Sequence, residues 1–194
     1  MQFDEEFRGF SFQKEGPLDM RMDPTTDLTA QDVVNEFSEE ELGHLFRDLG
    51  EERFWRRGAK AIVEARRRRR ITTTTELSQV VEKSIPRTSN IHPATRIFQA
   101  IRIYINKELE SIEGSLKKAI QVLAPGGKIG VLSFHSLEDR IVKNVFRDAS
   151  KALKGAAEKP LLEILTKKPR VPTPQEKRIN RRSRSAKLRF AVKL

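Results

Sequence analysis

Five polar residues fall within seven positions of the stretch GKIGVLSFHSLEDRIVKNVF, residues 127–146: Ser133, His135, Ser136, Glu138 and Asp139. An imidazole among hydroxyls and carboxylates can move protons or read the polar edge of a bound base. The same residues have a plainer use. Ser136 with Asp139 spells a helix cap and its box partner, and His135 can simply bond a loop. Turning a strand into a helix does not require all five, so the corner reads as one wall of a site. His135, Ser133 and Asp139 are the catalytic candidates.

The corner must be held by the elements on either side of it. Residues 128–134, KIGVLSF, are continuously apolar and predict a strand buried on both faces. Ser136 then caps a helix whose packing face carries Ile141, Val142, Val145 and Phe146. Ahead of the strand, Ile97, Ile101, Ile105, Ile112, Leu116, Ile120 and Leu123 keep one helical period for about thirty residues, from Pro93 to the stop at Pro125-Gly126-Gly127. Two late strands, LLEILT and SAKLRFAVKL, flank a basic loop. Helix, buried strand, helix, strand, strand is the closing half of an α/β sheet.

The first part of the chain is different in kind. Residues 1–27 hold Gly9, Gly16, Pro17 and Pro24 without a period and read as loop. Thr29 caps AQDVVNEF; Ser38 with Glu41, and Thr73 with Glu76, form capping boxes. Another helix, over residues 51–69, turns Phe54, Trp55, Ala59, Ile62 and Val63 to one side. Four short helices with no strand between them predict a compact helical domain. Its aromatic residues belong to a core more readily than to a base-stacking platform.

No glycine-rich turn follows a strand and opens a helix, so an opening half of the sheet is not legible and the sequence reads as truncated. With no cysteine, disulfides and thiolate metal sites are excluded. His44, His92 and His135 match no zinc spacing, so no metal is expected. No run approaches the ~20 apolar residues of a membrane span, and a cytoplasmic protein without membrane partners is expected.

Charge is the sharpest compositional signal. The net charge is +11, yet residues 1–52 hold 4 Lys/Arg against 15 Asp/Glu. Residues 53–70 hold 9 against 1 and end in five consecutive arginines, and residues 167–194 hold 11 against 1. A basic helix and a basic tail point to a polyanion, nucleic acid before any other.

The blocks RGFSF, GPLDMRMDP, GEERFWRRGAKAIVEAR, HPATRIFQAIRIYINKELE, LAPGGKIGVLSFHSLEDRIVKNVFR and RSRSAKLR together resemble the bacterial small-subunit rRNA (cytosine-N4)-methyltransferase family, the RsmH or MraW type, over essentially the whole chain. The resemblance implies the C-terminal part of a Rossmann-like class I methyltransferase sheet with an inserted all-helical domain. Residues 1–24 would be a loop after a sheet strand lying upstream, 25–90 the insertion, and 91–194 the return to the catalytic sheet, with 128–134 as a late parallel strand. It implies S-adenosylmethionine as methyl donor and 16S rRNA in the small ribosomal subunit as partner. The acceptor would be the exocyclic amine of a decoding-centre cytosine.

That amine is a poor nucleophile, and in-line transfer to it needs near-attack geometry, a dry pocket and a base turned out of its stack. The family's glycine-rich donor loop and ribose-binding acid would lie before Met1, which leaves Gln2 as the cofactor contact and the 194-residue chain inactive alone. By the same resemblance Arg96 and Arg102 face RNA or the crevice, and Arg182, Arg184, Lys187 and Arg189 can pair with phosphates. Arg181 stands where the family usually has Pro. Two other readings remain: a non-catalytic RNA- or ribosome-binding remnant, and a helical DNA-binding module, in which the strand and late hairpin have no place.

Overall fold

Hydroxyl groups start three helices of the first part where the sequence predicts them. In α1 (Ala30–Glu36) and α2 (Glu39–Asp48), Thr29 and Ser38 accept from the third helical N–H, while Asp32 and Glu41 reach back to the cap amides. The same reciprocal box, Thr73 with Glu76, opens α4 (Thr74–Ser84). Helix α3 (Trp55–Arg68) starts at Trp55 and not at Glu51. Glu51 sits at φ 48°, outside helical space, and the Glu52 carboxylate accepts the Phe54 N–H at 2.8 Å.

The computed structural model describes residues 8–87, 91–151 and 159–194. The chain divides into two compact units, Met1–Glu108 and Leu109–Leu194. In the first, α1–α4 pack with α5 (Ala94–Ile105) around a core that includes Phe46, Ile62, Leu77, Ile97 and Ile101. The aromatic residues largely behave as packing groups: Phe46 is fully buried, and Phe37, Phe54 and Trp55 lie against the core.

The long helix expected from residue 93 to 123 is two. Helix α5 ends at Ile105, α6 spans Glu108–Val122, and Lys107 between them has φ 47°. Asn106 makes the break. Its side chain accepts the Met22 N–H at 2.6 Å and donates to the carbonyls of Met20 and Arg102, each at 2.8 Å. A side chain that caps a loop in this way competes with continued helix, although the apolar period carries on beyond it.

In the second unit, β1 (Lys128–Ser133), α7 (Ser136–Ala149), β2 (Leu162–Ile164), α8 (Pro174–Ile179) and β3 (Lys187–Lys193) follow in order. The sheet order is β1-β3-β2, and both outer strands run antiparallel to β3. Leu116 and Ile120 of α6, Val142, Val145 and Phe146 of α7, Leu162 and Ala191 form its core, so the helices cover one sheet face.

Among the described residues β1 pairs with β3 alone, as an edge strand. The parallel neighbour expected for it is not among them, and within them β1 is covered on one face. Ile129 and Val131 turn toward the helices, while Gly130 and Leu132 face away and are exposed, Leu132 by 54%. The run of apolar residues conceals an ordinary two-residue alternation. A Cβ at Gly130 would stand 2.6 Å from the Phe190 ring paired across from it, so a larger residue there would displace that ring. Part of the expected basic loop is ordered helix: Thr173 caps α8, with Pro174 at its first position.

Candidate functional site

At the β1–α7 corner the polar groups sort by what holds them. The N-cap of α7 is His135, not Ser136. Its Nδ1 accepts the Glu138 N–H at 3.4 Å, and the Glu138 carboxylate accepts the N–H groups of Phe134 and His135 at 2.7 and 3.3 Å. An imidazole nitrogen can serve as the cap acceptor when its proton is on the other nitrogen. The box residue is therefore Glu138, and Asp139 is left for another task. His135 Nε2 lies 3.1 Å from Glu138 Oε1 but lacks hydrogen-bond alignment, which leaves it buried without a hydrogen bond.

Asp139 is joined to β3. Its carboxylate accepts Arg189 Nε at 2.6 Å and Nη2 at 3.1 Å, with Lys187 Nζ at 3.5 Å. Burial alone would raise the Asp139 pKa; the hydrogen bonds and charge of Arg189, joined by Lys187, outweigh it and hold the carboxyl below its ordinary range. Glu138 follows the same logic. Burial raises it, and the adjacent His135 side chain, with the Phe134 and His135 amides, brings it below the usual value. Ser133 is buried at the end of β1 and donates to the Lys187 carbonyl at 3.3 Å. The corner thus fixes two carboxylates in their ionised form and gives each a structural bond.

The basic candidates also separate. Arg189 is 7% exposed and occupied by Asp139, so its charge is spent inside the protein. Arg184 is exposed on a 3-10 turn, Arg181–Ser185, beside the exposed Arg182. Asn180 accepts the Arg182 N–H at 3.1 Å, which anchors the turn that begins at Arg181. Lys187 is half-buried near Asp139. Arg96 donates to the Glu51 carbonyl at 3.2 Å, and Arg102 makes a two-pronged pair with Glu108 at 2.8 and 3.0 Å. Six residues correspond to about 240° around a helix, so Arg96 and Arg102 do not share a face. Gln2 lies outside the described residues.

Two features escaped the sequence reading. Glu138, three residues after His135, is the box signature, missed because histidine is an unusual cap. The five arginines 66–70 are not one solvated run. Arg66 donates to the Val34 carbonyl at 2.8 Å, Arg69 meets Glu76 at 3.2 Å and Arg70 meets Glu36 at 2.9 Å. A groove of about 600 Å³ on the first unit holds none of the sequence-predicted residues. On its wall His92 stacks on Phe12 at 4.7 Å, and its Nδ1 accepts the Ala94 N–H at the start of α5.

A nucleoside donor held by backbone amides needs a turn with free N–H groups ahead of a helix. Among the described residues, the short β1–α7 passage contains no glycine, and its amides at 134, 135 and 138 are bonded by Glu138 and His135. The β1–α7 passage is therefore not such a turn.

Comparison with known proteins gives a consistent result. A protein from Persephonella marina, named ribosomal RNA small subunit methyltransferase H, is 55% identical over 190 residues, covering 96% of this chain and 62% of that protein. Proteins of the same name from Carboxydothermus hydrogenoformans and Caldicellulosiruptor bescii are 48% and 50% identical, over the whole of this chain and 65% and 66% of theirs. The chain thus spans less than two thirds of the length of these relatives. The family model described as the MraW methylase family matches residues 1–194, and the chain belongs to that family.

Proposed function

We propose that this chain is part of an enzyme that methylates the N4 amine of a cytosine in small-subunit rRNA, at the decoding centre. The observation that carries this reading is the match to the MraW family along all 194 residues, with relatives named as small-subunit rRNA methyltransferases. S-adenosylmethionine supplies the methyl group, and its binding site is formed mainly by sequence outside these 194 residues. Residues 25–90 are an insertion, and residues 91–194 close a Rossmann-like sheet. The β1-β3-β2 arrangement fits that role, since antiparallel strands commonly occur at the edge of otherwise parallel sheets.

Within this reading the corner has a positional task. Ser133 ends β1 at a fixed depth, Asp139 locks α7 to β3 through Arg189, and Glu138 holds the backbone of the turn. None of these carboxylates is tuned to exchange protons near neutrality. His135 is the member of the set with a polar atom not committed to a hydrogen bond, and it is the candidate for contact with the reacting base. The exposed cations 167, 168, 170, 177, 178, 181, 182 and 184 gather RNA phosphates.

Two binding measurements on the 194-residue protein test the reading. It should bind small-subunit rRNA with an affinity that falls as salt rises, and show no micromolar affinity for S-adenosylmethionine by calorimetry. Micromolar donor binding would overturn the placement of the donor site, and absence of RNA binding would overturn the substrate.

A further inference from the structure

We infer that the outer face of α3 is a track for an RNA phosphodiester backbone. The inference rests on the rRNA reading above and adds to it a surface that the tail and the corner do not include.

The arginines in and beside α3 divide by direction. Gly58, Ala59, Ile62 and Val63 are buried on the inner side. Arg56, Arg57, Lys60, Glu64, Arg67 and Arg68 are all exposed. At about 100° per residue they fall within an arc of about 120°. Arg53, just ahead of the helix, is also exposed. Arg53, Arg56, Arg57, Arg67 and Arg68 have no carboxylate partner among the described residues, whereas Arg66, Arg69 and Arg70 are bonded within the chain. The one acid on the stripe, Glu64, meets Lys60 at 3.8 Å, an exposed pair of little strength.

At the first turn the cations are seated on aromatic rings. Arg56 lies 4.3 Å from the Trp55 ring centre, and Arg53 and Arg57 lie 5.8 and 5.6 Å from that of Phe54. Trp55 itself rests on α2 at Gly43, where a Cβ would stand 2.8 Å from the ring. A guanidinium held over a ring loses rotational freedom but keeps its N–H edge available, and that planar edge matches a phosphate two bonds at a time. From Arg56 to Arg68 the stripe runs about 18 Å. That exceeds the ~8 Å screening length at physiological salt, so its two ends must act through separate local contacts. A long, predominantly cationic stripe, rich in arginine, complements a linear polyanion of evenly spaced phosphates.

Trp55 is the single tryptophan, so its emission reports from this face alone. Titrating the 194-residue protein with a uridine oligonucleotide should change that emission, and salt should reverse the change. In the variant carrying Arg56→Gln, Arg57→Gln and Arg67→Gln, the slope of log affinity against log salt should fall by about two, at ~0.7 per single-strand phosphate contact. The variant Arg56→Lys, Arg57→Lys, Arg67→Lys should retain most of the slope. The Trp55 titration of the unaltered protein needs no variant to fold. If the protein binds RNA but Trp55 does not respond and the glutamine variant keeps its full slope, the α3 assignment is wrong and the rRNA reading survives. If the unaltered protein binds no RNA, both fall together.

Discussion

Asp139 and Arg189 join the first turn of α7 to the central strand of the sheet, carboxylate to guanidinium, through two hydrogen bonds of 2.6 and 3.1 Å. Both residues are buried. Removing one partner leaves the other charge without compensation, which costs about 3 kcal/mol or more. Arg189→Met should therefore destabilise the second unit by that order in a denaturant titration.

The same pair fixes a pH dependence. The folded-state pKa of Asp139 lies below its unfolded value, so its stabilising contribution is fully present above the unfolded carboxylate range. That contribution is lost as pH falls through the folded pKa. Asp139→Asn should lower stability at pH 7 and flatten the acid limb of the stability curve below about pH 4. An unaltered acid limb, measured by denaturant titration across pH, would show that Asp139 is not the linked group.

His135, not Ser136, caps α7, and the difference is measurable. His135→Ala removes the α7 cap and should cost about 1 kcal/mol, and His135→Asn should restore most of it. Ser136→Ala leaves the cap in place and should cost less than His135→Ala. Thermal melts of the three variants distinguish these outcomes.

Asn106→Ala removes three hydrogen bonds at the α5–α6 break and leaves the Met22 N–H and Met20 carbonyl without their partner. A loss of about 2 kcal/mol is expected. Hydrogen exchange should quicken at the Met22 amide.

The tail cannot be tested by deletion. Cutting after Thr166 removes β3, which carries the pairing of both other strands, and should unfold the second unit. Neutralising exposed tail cations is the clean alternative. Arg178→Gln, Arg181→Gln and Arg184→Gln together should lower the RNA salt slope by about two and leave the melting curve unchanged.

What the sequence made legible follows from the range of the interactions involved. The caps at Thr29, Ser38 and Thr73 are decided within four residues, and each was readable. Pro174 after Thr173, with Glu176 close behind, is the same kind of local signal for α8, set within a basic stretch that otherwise reads as loop. The direction of β1 depends on a partner some sixty residues later (Ile129 opposite Ala191), and strand composition does not encode it. The break at Asn106 depends on Met20 and Met22, more than eighty residues earlier, while the apolar period continues undisturbed. At the candidate site, residue types drew attention to the right corner. The assignment of tasks within it depended on Arg189, which reaches Asp139 only once β3 is paired.

A chimera would join this chain to the part of the Persephonella marina protein that it does not match, keeping the rest of that relative's sequence. Incubated with S-adenosylmethionine and small ribosomal subunits lacking the modification, it should place one methyl group on a decoding-centre cytosine, read as N4-methylcytosine by mass spectrometry of digested rRNA. A folded chimera that binds the donor and the subunits yet leaves that cytosine unmodified would contradict the account.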